Sequence, residues 1–260
     1  MQFYTITHNR RLFYGQVQRI DENTTELLVG GAAMKCVSIH VYDDEDYVSL
    51  SELLYDSLCT LDDDLLPRHS GTIDLLNASL LFCQRLFPDK HTIRFTDESV
   101  IKCANGKILP LPEVSLMIYG QTWYQRHFDV KLFQDQKRFK AIQGVLAGKP
   151  ALPWGILWSN YLSTGFQSSQ ESHLRDNYHT ARNWHEFFSE ISRDRCQHWY
   201  DWTLKLFALL SKNFNVRGTT WKMSFPKSQD DFTINQTEKM VKTLRPRYSG
   251  PRMFGGHTLY

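Results

Sequence analysis

Three groups of residues in this chain have types and spacings that chemistry could use. The first is Arg68-His69-Ser70-Gly71-Thr72, a short polar glycine turn directly ahead of an apolar run. A turn that opens a helix leaves backbone N–H groups unpaired and aimed at one point. The amides near Ser70, Gly71 and Thr72 could therefore hold a pyrophosphate, with Arg68 adding positive charge. The plainer reading is a capped helix start that needs one glycine. The second group centres on Tyr124 within Thr122-Trp123-Tyr124-Gln125-Arg126-His127-Phe128. A phenol of pKa about 10 can return a proton to a departing thiolate, although a tyrosine beside a tryptophan is also an ordinary core residue. The third is Asp97-Glu98, just after a predicted strand. These two could act as a base or bind a cationic substrate, or simply cap a turn.

Other chemistries find no support. The chain has no H-E-x-x-H, no paired cysteine and histidine at zinc spacing, no G-x-S-x-G and no G-x-x-x-x-G-K-[ST]. Zinc hydrolysis, a nucleophile elbow and a P-loop ATPase are not indicated.

The elements that must position these groups follow from periodicity. Phe3–Thr7, Leu12–Ile20 and Thr25–Val29 are β-rich runs, and Cys36–Tyr42 alternates Val37, Ile39 and Val41 with Ser38 and His40. Val41–Pro67 holds nine acidic residues and no Lys or Arg. Its Leu53, Leu54, Leu58 and Leu61 predict a short helix with a solvated acidic face. Ser70 or Thr72 caps the next helix, Asp74 complements its dipole in the first turn, and Pro88 stops it. Thr92–Thr96 is a strand, Asn105-Gly106 a turn, and Pro112 opens a helix that closes on the Tyr124 segment. Beyond about residue 135 the pattern turns helical and aromatic: Phe139–Leu146, a Trp-rich Pro153–Leu162, a loop-like Gly165–Asn177, and one or two helices over Ala181–Phe214. Thr219–Phe225 ends this part as a strand.

Hydrophobic residues at 42% and aromatics at 13% supply a substantial core. A net charge of +2 predicts no strong global pull on nucleic acid or anionic membrane. The tail beyond Gln236 is basic, with Lys239, Lys242, Arg245, Arg247 and Arg252 against Glu238. With Tyr248, Phe254 and Tyr260 it could touch nucleic acid, a reading the small net charge weakens. The five cysteines are scattered and odd in number, which argues against a disulfide framework and for a soluble protein of a reducing compartment. No apolar run reaches the roughly 20 residues needed to span a bilayer.

Three segments carry a resemblance. They are Arg68-x-x-Gly71-Thr72 with Phe87-Pro88 ending its helix, Thr96-Asp97-Glu98-Ser99-Val100-Ile101-Lys102-Cys103, and the Thr122–Phe128 segment. With the order strand, glycine turn, helix, strand, helix ending in Tyr, they resemble the GNAT (N-acetyltransferase) fold. They are more closely similar to a group of GNAT-like proteins of large nucleocytoplasmic DNA viruses. The likeness covers roughly residues 35–133 and, more faintly, Trp184–Trp202. Two departures stand out: Ile73 occupies a place where the family motif Q/R-x-x-G-x-G/A has a small residue, and the Gly of Y-x-x-x-G-F is missing between Tyr124 and Phe128.

The resemblance implies an α/β (α+β) protein, with a GNAT-like central mixed sheet flanked by helices over residues 1–135. Residues 136–260 would form an α-rich C-terminal extension with a short strand and the basic tail. As an enzyme it would transfer an acyl group from acetyl-CoA to an amine substrate. Arg68, Ser70, Gly71 and Thr72 would bind the cofactor, and Tyr124 would protonate the thiolate. An acid among Asp43, Asp44, Asp97 and Glu98 would relay the amine proton. An open cleft between Val37–Val41 and Ile93–Phe95 would be its structural mark. The rival implication is a catalytically inactive GNAT-like fold, used as a virion-associated structural or host-interaction protein. Its acidic segment and basic tail would then contact viral or host protein partners. Either use implies the host cytoplasm or the virion. No activity is established for the group, and one fold hosts many functions.

Overall fold

The computed structural model describes residues 1–32, 34–62, 65–67, 70–103, 106, 108–162, 171–191, 200–227 and 231–238. Mixed α/β architecture is evident, with a large, mostly antiparallel sheet and eight helices among these residues. The chain divides into two compact units. One holds Met1–Thr96 and the described residues from Lys222 on, and the other holds Asp97–Trp221.

In the first unit, β1 (Gln2–His8), β2 (Arg11–Arg19), β3 (Thr24–Gly30), β4 (Lys35–Tyr42) and β5 (Tyr47–Leu53) form an antiparallel meander. The β1–β2 turn is made by Asn9 and Arg10, both at positive φ (50° and 62°). That is the two-residue turn whose twist matches that of its strands. Helix α1 (Ser70–Leu86) then crosses over, and β6 (Thr92–Thr96) pairs parallel to β5. A parallel neighbour requires such a crossover, because a tight turn can only reverse the chain. Helix α1 packs on β1, β3 and β4, with Leu75, Leu76, Ala78, Phe82 and Cys83 wholly buried. The polar strand β11 (Thr233–Thr237) completes the order β11-β1-β2-β3-β4-β5-β6. It pairs antiparallel with β1, Ile6 standing opposite Ile234.

Several expectations change here. The acidic stretch is no helix: Tyr47–Leu53 is a strand that buries Val48 and Leu50 in alternation. The residues after it are tied down individually. Leu54 N–H donates to the Cys36 carbonyl (2.7 Å), Leu61 N–H to that of Leu12 (2.7 Å), and the Tyr55 hydroxyl to that of Leu66 (2.9 Å). Cys36 and Cys59 are joined by a disulfide, and Cys103 is disulfide-bonded too. This corrects the expectation that the scattered cysteines form no disulfides. Cys83 is free but buried, and burial pushes its thiol well above the usual range, away from reactivity. Asp74 lies beyond the first turn of α1 and binds Arg11 (3.0 Å) and Asn9 (2.8 Å), fastening the helix to the β1–β2 hairpin. Among the described residues no helix is long and apolar enough to cross a membrane.

The second unit opens with a hairpin of β7 (Val100–Lys102) and β8 (Ile108–Pro110), followed by α2 (Leu111–Tyr119) and α3 (Trp123–His127). Sequence periodicity predicts one helix here, and two form because Gly120 takes a left-handed φ of 71°. Thr122 then restarts the chain with a capping box closed by Gln125. Next come β9 (Val130–Leu132), α4 (Gln136–Ala147), α5 (Trp154–Leu162), α6 (Glu171–Thr180), α7 (Trp184–Ile191) and α8 (Tyr200–Leu210). Helix α6 occupies part of the stretch expected to be a loop. Tyr178, Trp184, Phe187, Phe188 and Trp202 stack edge-on or face-on at centroid distances of 5.5–6.1 Å, giving this unit an aromatic core. Strand β10 (Thr220–Ser224) leads out of the unit, and at its start the Phe133 N–H donates to the Thr220 carbonyl (2.8 Å).

Candidate functional site

The residues singled out for chemistry fall in different units: Ser70, Gly71, Thr72, Asp43 and Asp44 in the first, Asp97, Glu98 and Tyr124 in the second. Arg68 lies outside the described residues, as do Asp63, Asp64 and the tail beyond Glu238.

At the start of α1, Ser70 is exposed, whereas Gly71 and Thr72 are buried. The Gly71 N–H, the central donor of the expected cradle, donates to the Pro67 carbonyl at 3.1 Å. A Cβ on Gly71 would stand 2.6 Å from Leu66 Cγ and 3.2 Å from Pro67 Cδ. The glycine thus lets the preceding segment fold closely onto the helix start. Gly71→Val should lower stability by about 1–3 kcal/mol, the usual cost of overpacking. Urea unfolding without any ligand measures it, and an unchanged midpoint would show that Leu66 yields freely.

Nearby, the β5–β6 ladder runs from Tyr47↔Thr92 to Ser49↔Arg94 and stops there, although β5 continues to Leu53. Across β5, the register with β4 slips between Ile39↔Leu50 and Ser38↔Glu52, which makes Ser51 a bulge. Because β5 lies between β4 and β6, no cleft opens directly between Val37–Val41 and Ile93–Phe95, and that expectation is corrected. Asp43 is bound by Arg19, whose guanidinium holds the carboxyl below its ordinary range, and Asp44 is exposed.

In the second unit Asp97 and Tyr124 are both buried, and the Asp97 charge raises the cost of ionising the phenol. Burial raises the Asp97 carboxyl, against the lowering effect of the Ser99 hydroxyl and N–H that it accepts. Burial likewise raises the Tyr124 phenol far above its usual value, and the Asp97 charge adds to the shift. Glu98 is exposed and pairs with Arg217 at 3.1 Å, while its charge adds to the rise at Asp97. The structure therefore brings Asp97 and Tyr124 into one electrostatic neighbourhood and leaves Glu98 at the surface.

Glu113 belongs to the same neighbourhood and was not picked out by sequence. Only 3% exposed, it lies in the first turn of α2, and its Oε1 accepts the N–H of Val216 (2.9 Å) and of Arg217 (2.7 Å). Burial raises its pKa, the two N–H donors oppose that, and the Asp97 charge raises it further. The loop Val216–Thr219 is held from a second side by Asp97, whose carbonyl accepts from Gly218 (3.0 Å) and whose N–H donates to Thr219 (3.3 Å). Two successive N–H groups on one oxygen form an anion nest, here filled by the protein's own carboxylate. The one local signal was an acid following Pro112, which reads as a helix-dipole residue.

Such a cluster can store a proton and clamp a loop. It is poorly arranged for a proton relay to solvent, because its phenol and both of its acids are buried. No family model, curated protein or solved structure matches this chain.

Proposed function

We propose that this chain uses a GNAT-like scaffold without catalysis, as a structural or interaction protein. Support for the scaffold is the order strand, turn, helix, parallel strand over β5, α1 and β6. The observation that carries the non-catalytic reading is the closed turn at Gly71, whose amide is spent on Pro67 and whose Cα face is covered by Leu66. Tyr124 adds to it, since proton transfer to a thiolate from a phenol held so far above its usual pKa runs uphill. The acidic segment is the natural contact surface, with Asp44, Glu45 and Asp46 exposed. A viral or host protein is the class of partner proposed. The virion is favoured over the host cytoplasm as the setting, because the Cys36–Cys59 disulfide would persist there.

Thermal unfolding with acetyl-CoA tests this directly. A ligand at 100 times its Kd stabilises the native state by about 2.7 kcal/mol, so a bound cofactor cannot hide. The expected result is an unchanged melting temperature up to millimolar acetyl-CoA, and a saturable rise would overturn the proposal.

A second reading has one observation in its favour. The bulge at Ser51 and the end of the β5–β6 ladder at Ser49 leave part of β5 beside a strand it does not pair with. An extended amide-bearing chain such as that of acetyl-CoA pairs with such an edge. In this reading Arg68, Ser70, Gly71 and Thr72 hold the pyrophosphate, Tyr124 protonates the thiolate, and Asp97 or Glu98 relays the proton of an amine substrate.

A further inference from the structure

Helices α5 and α8 of the second unit enclose an open groove of about 500 Å³ that the proposed function leaves unused. Its floor is apolar and fully buried: Leu157 is 1% exposed, Trp202 2% and Leu206 5%. The Trp202 indole N–H donates to the Leu157 carbonyl at 3.3 Å, which fixes the two helices against each other. The rim is unusual. Ile156 and Leu209, both lining the groove, are 48% and 51% exposed, so large apolar side chains face water on either wall. Contiguous exposed apolar surface framed by charge marks an interaction site more often than scattered single residues do.

The charge of that frame selects the occupant. Lys205 and Lys212 line the groove, and no carboxylate is found among its described lining residues. Lys205 lies on α8, and Lys212 stands two residues beyond its end at a left-handed φ of 51°, so both cations come from the C-terminal part of that helix and the turn that follows it. We propose that the groove docks an acidic amphipathic helix of a partner protein. Its apolar stripe lies on Ile156, Leu206 and Leu209, and carboxylates flanking the stripe meet Lys205 and Lys212. Side chains spaced by three, four or seven residues share one helix face, so one amphipathic helix can present carboxylates and an apolar stripe together. A fatty acid carries one anionic head and would engage one lysine. A second copy of this groove would set lysine against lysine, which like-charge repulsion disfavours.

The test uses the full chain and two fluorescein-labelled peptides of about 14 residues, roughly four helical turns. Both carry a leucine stripe, flanked by Glu at i and i+7 in one and by Lys in the other. The acidic peptide should bind saturably, with the basic one at least about tenfold weaker, a difference of about 1.4 kcal/mol. The K205E/K212E variant should reverse that order, and Ile156→Glu should abolish binding while the melting temperature stays unchanged. Equal binding of the two peptides by the native protein overturns the proposal, and that comparison needs no variant. So does an unreversed preference in K205E/K212E, or no saturable binding of the acidic peptide at millimolar concentration. Oleate binding saturably while neither peptide binds gives the groove to a lipid anion and equally overturns it.

Discussion

Replacing Cys36 and Cys59 together by alanine should lower the unfolding free energy by about 3 kcal/mol. The bond closes a loop with a sequence separation of 23 residues, and closing a loop of that size in the unfolded chain accounts for that magnitude. It ties the start of β4 to the irregular segment after β5, which lacks helix or strand bonds of its own. That segment carries Leu66, which covers Gly71, and Thr60, whose hydroxyl donates to the Leu12 carbonyl at 2.9 Å. Loosening it should therefore spread to the α1 turn. Urea midpoints of the native and doubly substituted protein, both kept oxidised so that the disulfide at Cys103 stays intact, measure the effect. Equal midpoints for the two would mean the Cys36–Cys59 bond does not constrain the unfolded chain.

Glu113→Ala should cost about 2–3 kcal/mol at neutral pH. It removes the acceptor of the Val216 and Arg217 amides, and a buried donor left unpaired costs about 1–3 kcal/mol. Against this, the substitution also removes a carboxylate whose burial is unfavourable. Glutamine at this position should not share the fate of alanine. Glu113→Gln keeps an amide oxygen for both donors and removes the charge, so it should stay within about 1 kcal/mol of the native protein.

The sign of the pH dependence follows from the raised pKa values of Asp97 and Glu113. An acid raised on folding contributes stability that is fully present below its unfolded pKa of about 4 and is lost as pH rises through the folded value. Glu113→Gln should therefore gain relative to the native protein between about pH 4 and pH 7. The deficit of Glu113→Ala should be larger at the acid end, where the native carboxyl is neutral. Chemical denaturation at both pH values decides the matter. A Glu113→Gln difference that is flat across the window would remove Glu113 from the buried titrating cluster.

Much of the fold was legible in the residues themselves. Val37, Ile39 and Val41 alternate because one face of β4 meets the core, and α1 carries a broad apolar face because ten of its seventeen residues are buried. Pro88 and Pro112 mark helix boundaries through their own covalent geometry, so they work from sequence. The acidic stretch misled because Leu53, Leu54, Leu58 and Leu61 have helical spacing. Strand β5 exists because β4 and β6 flank it, and neither neighbour is recorded in its own residues.

Strand β11 was missed for the same reason. Thr-Ile-Asn-Gln-Thr is polar, and only pairing with β1, more than 220 residues earlier in the chain, makes it a strand. The candidate site divides along the same line. Composition and spacing could nominate Ser70, Gly71, Thr72, Asp97, Glu98 and Tyr124, because residue type sets what chemistry is possible. Whether an amide is free, a phenol is wet or an acid is charged depends on atoms brought close from distant parts of the chain. Pro67 on Gly71, Asp97 near Tyr124 and the Val216 loop on Glu113 are contacts of that kind. Local sequence determined the elements and the inventory of reactive groups. The tertiary structure decided which of them remain available, since desolvation and hydrogen-bond pairing are properties of surroundings, not of residues.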